Sequence, residues 1–186
     1  TVALFPKLEH GGPKEHLFWV KKTRKAVSIP LFASLNAVNE STWIEYAKAL
    51  ADTGVDGLEL NFYSPPIDPG ISALEMERRE LETFAKVKEA VNIPIAVKLH
   101  PYYTNVFHTA TEFSRLGAGA LVLFNRLFQP DINIDTLKED QRLSLSQSSD
   151  GLVSLRWIAL LFDRVESDLI GNTGVLSGED AIKMIL

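Results

Sequence analysis

Short apolar runs alternate along the chain with longer segments whose apolar residues recur every third or fourth position. Residues 1–12 have no period and read as a loop. Pro13 suits a first helical position, and Leu17, Val20 and Ala26 or Val27 then line one helix face. Ile29-Pro30 stops that helix, and Leu31 to Asn36 reads as a buried strand. Thr42 and Glu45 predict a capping box for a helix with Trp43, Ala47 and Leu50 on one face, ending at Gly54. Gly57 to Asn61 is the next strand, followed by a proline-rich loop (Pro65, Pro66, Pro69) and a long charged helix with Leu81, Phe84, Val87 and Val91 inward. The strand Ile95 to Leu99, the helix around Val106, Ala110 and Phe113, and the strand Ala120 to Asn125 complete two more units. Gln129 to Asp150 lacks a helical period, with Leu143-Ser144-Leu145 as a candidate small strand. Leu152, Leu155, Ile158, Ala159 and Phe162 mark a helix, Asp168 to Gly171 a strand, and Ser177 with Asp180 caps a final helix.

Five strand-then-helix alternations predict an α/β fold with a parallel sheet and right-handed crossovers. The chain also echoes itself. Ala26-Val27-Ser28-Ile29-Pro30 returns as Ala90-Val91-Asn92-Ile93-Pro94, and Asn61 returns as Asn125, both at an offset of 64. A period of two βα units suits a (β/α)8 barrel, whose interior layers are filled from alternate strands. The expectation is a TIM barrel seen as an incomplete fragment of about five units. Residues 1–186 then form one domain whose N-terminal and C-terminal strands, two units upstream and one downstream, fall outside this sequence.

Composition narrows the chemistry. With 186 residues, 46% of them hydrophobic, the chain can bury a sizeable core unaided. It has no cysteine, which excludes disulfides and thiolate chemistry and agrees with a cytoplasmic protein. A net charge of −5 with no basic stripe argues against nucleic acid as a partner. No apolar run approaches the roughly 20 residues of a membrane helix.

Four strands end in a polar residue: Asn36, Asn61, Lys98 and Asn125. One strand-end Asn is usually a turn cap; three at equivalent places with a lysine point to a shared site on the carboxyl rim, where ligands of such folds bind. Lys98 lies in a strand expected to be buried, so it needs a partner. Either it pairs with Glu59, the acid inside a predicted strand, or it stands beside a ligand that gains negative charge. Asn172-Thr173-Gly174 before the capped last helix resembles a phosphate cradle of free N–H groups and helix dipole. His10, His16, His100 and His108 show no metal-ligand spacing, so no metal site is expected, and His108 is placed on a helix surface. No GxSxG, P-loop or GxGxxG motif occurs. Glu75 to Glu82 reads as a solvated face, and Trp19, Trp43 and Trp157 as packing residues.

On these residues the chain resembles the dihydroorotate dehydrogenase family of flavin mononucleotide (FMN) enzymes. The motifs are Leu58-Glu59-Leu60-Asn61 with its serine-proline, Ala96 to Pro101, and Gly174-Val175 leading to Ser177-Gly178-Glu179-Asp180. The run Leu121 to Arg126, continuing to Gln129-Pro130-Asp131, is similar to a divergent, dihydroorotate dehydrogenase-like branch. The resemblance implies FMN across the rim, contacted by Asn36, Asn61, Lys98, Thr173 and Gly174. It implies that Asn61 and Asn125 hold a small-molecule substrate, and that Ser64 stands at the catalytic-base position. That base would take a proton from dihydroorotate while hydride passes to the flavin, a step of pyrimidine biosynthesis; a homodimer is one option for the assembly.

The chain departs from the family pattern at Pro66, where the enzymes carry an Asn, and at Tyr63, where they carry a small residue. Losing a hydrogen-bond partner for a buried polar group costs about 1–3 kcal/mol. A flavin oxidoreductase acting on a different small reduced ring is therefore the first alternative, a non-catalytic flavin- or phosphate-binding barrel the second, and a phosphate-binding barrel enzyme without flavin the third.

Overall fold

The computed structural model describes residues 12–63, 65–127, 129–140 and 145–186. Its elements follow in the order α1 (Gly12–Ala26), β1 (Phe32–Leu35), α2 (Glu40–Ala51), β2 (Gly57–Asn61), α3 (Ala73–Ala90), β3 (Ile95–Lys98), α4 (Val106–Arg115), β4 (Ala120–Leu123), β5 (Asp131–Asn133), β6 (Lys138–Asp140), α5 (Gly151–Leu161), β7 (Asp168–Gly171) and α6 (Gly178–Ile185). The five main strands form one parallel sheet in the order β1-β2-β3-β4-β7. Each crossover therefore delivers the chain to the next position on the same side. A doubly wound sheet would reverse direction at a switch point; this one never does, which is the winding of a barrel wall.

Strand alternation then sorts the side chains. One face carries Ala33, Leu35, Leu58, Leu60, Ile95, Val97, Leu99, Leu121 and Leu123, all buried against the helices in one cluster with Trp43, Leu50, Phe84, Val87 and Phe113. Fully burying side chains of this size is worth roughly 1.5–3 kcal/mol each, so this face holds the fold together. Phe113 is central to it, stacked on Phe62 at 5.9 Å and edge-on to Phe84 at 5.6 Å between ring centroids. Because Phe62 is drawn to the helix side, its neighbour Asn61 must face the other way.

The opposite face, the inside of the barrel wall, carries Phe32, Ser34, Glu59, Asn61, Lys98 and Ile170. The lysine is less buried than the strand pattern predicts: its side chain keeps 20% exposure and that of Glu59 21%. Five units do not close on themselves, so among the described residues no opposite strand covers this face.

Local expectations differ in four places. Helix α2 starts at Glu40, with Asn39 at the cap and no side-chain cap bond, so Thr42 and Glu45 form no capping box; Glu40 suits the first turn because the helix dipole favours an acid there. The long insertion holds an antiparallel pair, β5 with β6, earlier than the strand expected at Leu143-Ser144-Leu145; Leu143 and Ser144 lie outside the described residues. Trp19 is 49% exposed rather than packed, held by Glu15 on its indole N–H and Lys22 over its ring. Leu152 and Phe162 of the α5 region are also exposed, while Ser154 and Leu161 point inward. The box of Ser177 and Asp180 at α6 is present as expected.

Candidate active site

The parallel register brings the strand-end residues to one level. Asn61 sits opposite Lys98 across the β2–β3 pair. Asn36 donates from Nδ2 to the backbone oxygen of Asn61 at 2.8 Å. Asn125 donates from Nδ2 to Oδ1 of Asn61 at 2.6 Å, reaching over the end of β3. The two asparagines related by the 64-residue echo are thus bonded to each other. Lys98 faces Glu59 with Nζ–Oε1 at 3.7 Å, a loose ion pair, while Glu59 accepts a short bond from Ser34 Oγ at 2.8 Å. The expected Glu59 partnership therefore exists, yet it leaves the ammonium partly exposed on the open face.

The β7 end joins this rim. Asn172 Nδ2 and Thr173 Oγ1 both donate to the backbone oxygen of Phe124, at 2.9 and 3.1 Å, next to Asn125. Thr173 and Gly174 take positive φ values of 75° and 72°. A Cβ on Gly174 would run into the backbone of Gly151 and Gln147, so the loop lies directly against the start of α5. One expectation changes here. The turn leading into α6 already holds an acid: the Asp180 carboxylate accepts from the hydroxyls of Ser177 and Ser148 and from the N–H groups of Leu176 and Ser177. The bond from the Ser177 hydroxyl first, then those from Leu176 and Ser148, hold that carboxyl below the usual range. Among the described residues the N–H groups of Thr173, Gly174 and Val175 have no bonded partner. Residues 173–175 line a polar cavity of about 380 Å³ together with Arg126, whose Nε lies 3.5 Å from Asp150. An anion at this place would lie beside a loop with three unbonded amides and a guanidinium paired with Asp150.

Ser64 lies outside the described residues. Its neighbours Tyr63, Pro65 and Pro66 line a largely apolar cleft of about 290 Å³ above the ends of β2 and β3. Across from them stand α3 and the segment after β3, which contribute three groups that the sequence reading passed over. Glu80 is buried in α3 and accepts from the hydroxyl of Tyr103 at 2.7 Å. Burial pushes its carboxyl up to about 7, only partly offset by the Tyr103 bond. His100 stacks flat on Tyr103 at 3.8 Å, and its Nδ1 accepts from the backbone N–H of Tyr102. Burial depresses the imidazole to about 4, so near neutral pH it is uncharged with its proton on Nε2. Burial likewise raises the Tyr103 hydroxyl well above its ordinary range.

A signal for Glu80 existed: it precedes Phe84 by four residues and Val87 by seven, the spacing of one helix face. It is the exception in a charge run that is otherwise solvated, as the pairs Arg78–Glu75, Arg78–Glu82 and Arg79–Glu75 show. His108 is exposed, and no group of three metal-capable side chains occurs among the described residues. No described helix is long and apolar enough to cross a membrane.

Comparison with known proteins agrees with this arrangement. The family model described as dihydroorotate dehydrogenase matches residues 11–186. Dihydroorotate dehydrogenase A (fumarate) of Limosilactobacillus reuteri is 29% identical over 182 residues, covering 92% of this chain and 57% of the relative. The catalytic subunit of dihydroorotate dehydrogenase B (NAD(+)) of Caldicellulosiruptor bescii is 26% identical over 166 residues, covering 87% and 55%. The chain thus spans a little over half the length of these relatives. Among solved structures, a phosphonopyruvate hydrolase aligns with a TM-score of 0.53 at 16% identity, over 92% of this chain and 64% of that one. A dihydrodipicolinate synthase from Agrobacterium tumefaciens aligns at 0.52 and 17%, over 88% and 54%. Those structures share the fold alone, a (β/α)8 barrel of which this chain supplies five units. With the family model spanning nearly every residue and the polar strand ends gathered on one rim, the chain belongs to the dihydroorotate dehydrogenase family.

Proposed function

We propose that this protein is an FMN-dependent oxidoreductase of the cytoplasm that removes two hydrogens from a small, partly reduced ring, with dihydroorotate as the family's namesake substrate. The observation that carries this reading is the shared rim: Asn36, Asn61 and Asn125 in one hydrogen-bonded group, Lys98 opposite Asn61 in the strand register, and the loop of Thr173 and Gly174 tied to Phe124 beside Asn125. The donor set suits FMN. The amides of residues 173–175 and Arg126 match a phosphate, and the ammonium and carboxamides match a polar ring system.

FMN, when bound, supplies the hydride acceptor. The chain does the rest. Lys98 holds positive charge where electron uptake leaves negative charge. Asn61 and Asn125, fixed to each other, hold the substrate ring and limit its tilt. Ser64 takes the proton from one ring carbon as hydride leaves its neighbour, and a carbon–carbon double bond forms. A serine needs a further proton acceptor for this role.

A second reading, a different ring as substrate, is favoured by Pro66, which lines the cleft without a side-chain hydrogen bond to offer. Anaerobic titration of the full-length protein tests both. It should purify yellow and bleach on addition of a reduced ring, and Ser64→Ala should slow bleaching by roughly 10²–10⁴-fold. A colourless protein that takes up no FMN overturns the proposal; bleaching of Ser64→Ala at the wild-type rate removes Ser64 from it.

A further inference from the structure

The cleft beside Pro65 and Pro66 has a charge character that the rim lacks. Its aromatic walls are Tyr63, Tyr102, Tyr103 and His100. The ionisable side chains that line it besides these are Glu77 and Glu80, and no lysine or arginine does so among the described residues. Lys98, the cation of the rim, is not part of its lining and faces Glu59 instead. A carboxylate entering here would lose water, face two acids and find no cation, whereas an uncharged ring would meet flat apolar walls. About 290 Å³ is close to the lower size of small-molecule sites and fits one or two rings.

We propose that this cleft binds an uncharged, planar or nearly planar ring with an amide edge, directed at the hydrogen-bonded Tyr103–Glu80 pair, and rejects rings that carry a carboxylate. Taking that ring to be the substrate rests on the flavin-enzyme reading above and moves it from Asn61 and Asn125, which do not line the cleft, to the loop beside them. Its binding in the cleft does not rest on that reading. Glu80 supplies a polar atom in an otherwise apolar wall, held in place by Tyr103 at 2.7 Å. Stacking between aromatic walls selects a flat ring without selecting its charge; the two acids make that selection. The groups facing Glu80 are Tyr103 and His100 from the segment after β3 and Glu77 from its own helix, while the Pro65-Pro66 stretch and Leu127 bring no charge. Raising the pH above about 7 ionises Glu80 and strengthens the rejection.

Two probes that differ by one group decide it: 5,6-dihydrouracil, and dihydroorotate, the same ring with a carboxylate. Calorimetric titration of the full-length protein at about pH 8 should give dihydrouracil at least tenfold tighter binding, the scale of a like-charge penalty at short range. Glu77→Gln should narrow the gap, Glu80→Gln should narrow it further, and Tyr102→Ala, at an exposed wall position, should weaken dihydrouracil. Equal or tighter binding of dihydroorotate, no saturable binding of either ring, a dihydrouracil affinity untouched by Tyr102→Ala, or a gap untouched by both Glu77→Gln and Glu80→Gln overturns the proposal. The titration needs no turnover. A protein that binds no FMN yet prefers the uncharged ring sinks the flavin reading and keeps the cleft; one that binds FMN and prefers dihydroorotate does the reverse.

Discussion

The two rims of the sheet use polar residues in opposite ways. At the amino-terminal rim each is tied to backbone. Asp56 accepts from the N–H of Leu31 and from Arg24, both at 2.7 Å. Ser114 Oγ, in α4, accepts from the N–H groups of Glu166 and Ser167, and Ser167 Oγ donates to the oxygen of Ala118. These bonds stitch the turns that lead into β1, β4 and β7. At the carboxyl-terminal rim, Asn61 pairs with Asn125 and Lys98 with Glu59, and all four keep partial exposure. Polar groups that bridge turns through backbone partners report on stability; polar side chains collected from several strands at this end report on ligands. Backbone partners occur at both ends, since Asn36, Asn172 and Thr173 also donate to backbone oxygens, so what sets the carboxyl-terminal rim apart is the side-chain pairing of Asn61 with Asn125 and of Lys98 with Glu59.

Substitutions should separate them too. Ser114→Ala leaves two backbone N–H groups without their acceptor in a buried turn, and at 1–3 kcal/mol for each stranded group the loss should be about 4 kcal/mol. Urea titration should show it, with FMN affinity of the remaining folded protein unchanged. A change in FMN affinity without loss of stability would abolish the distinction between the rims.

Glu80 gives the next effect, and it depends on pH. Its carboxyl is raised from an ordinary 4.5 to about 7 in the fold, so the folded state holds the proton more tightly. The stability this contributes is complete below about 4.5 and lost as pH rises through 7. The depressed imidazole of His100 acts in the other direction, costing stability as pH falls from 6.5 towards 4. The two slopes oppose each other in the window they share. Melting temperatures of the native protein should accordingly vary little there, whereas Glu80→Gln should gain stability relative to it as pH rises from 4.5 to 7, by about 3 kcal/mol in total. A difference that does not change with pH would mean that Glu80 is ionised throughout.

Lys98→Ala should have the smallest effect on folding, because its loose pair with Glu59 is partly solvated. It should weaken FMN by about 2 kcal/mol, some thirtyfold, as loss of a charged hydrogen bond does; fluorescence titration of the flavin would read it. An unchanged affinity would place Lys98 with the structural residues.

Much of this was legible in the chain. Strand β2 runs from Gly57 to Asn61 as the alternation predicts, and the 64-residue echo marked Asn61 and Asn125 as equivalent before any contact was known. Both follow from local rules, a two-residue period in strands and a unit repeated in tandem. Thr42 misled because a capping pattern is short and Asn39 starts the helix three residues earlier. Glu80 was hidden inside a charge run, where its alignment with Phe84 and Val87 counted for less than the acids and arginines around it. Only packing could show that this carboxylate, and not Glu75 or Glu82, faces inward.

The order of strands and helices, the polar strand ends and the family were determined by sequence, since each rests on spacing along one chain. Tertiary structure decided what lies between elements. It bonded Asn125 to Asn61 across β3, gave the amides of Leu176 and Ser177 to Asp180 and left those of residues 173–175 open, and set Glu80, Tyr103 and His100 around a cleft without a cation among its described lining. Such pairings depend on distances between segments far apart in sequence, and on burial, which no local period encodes.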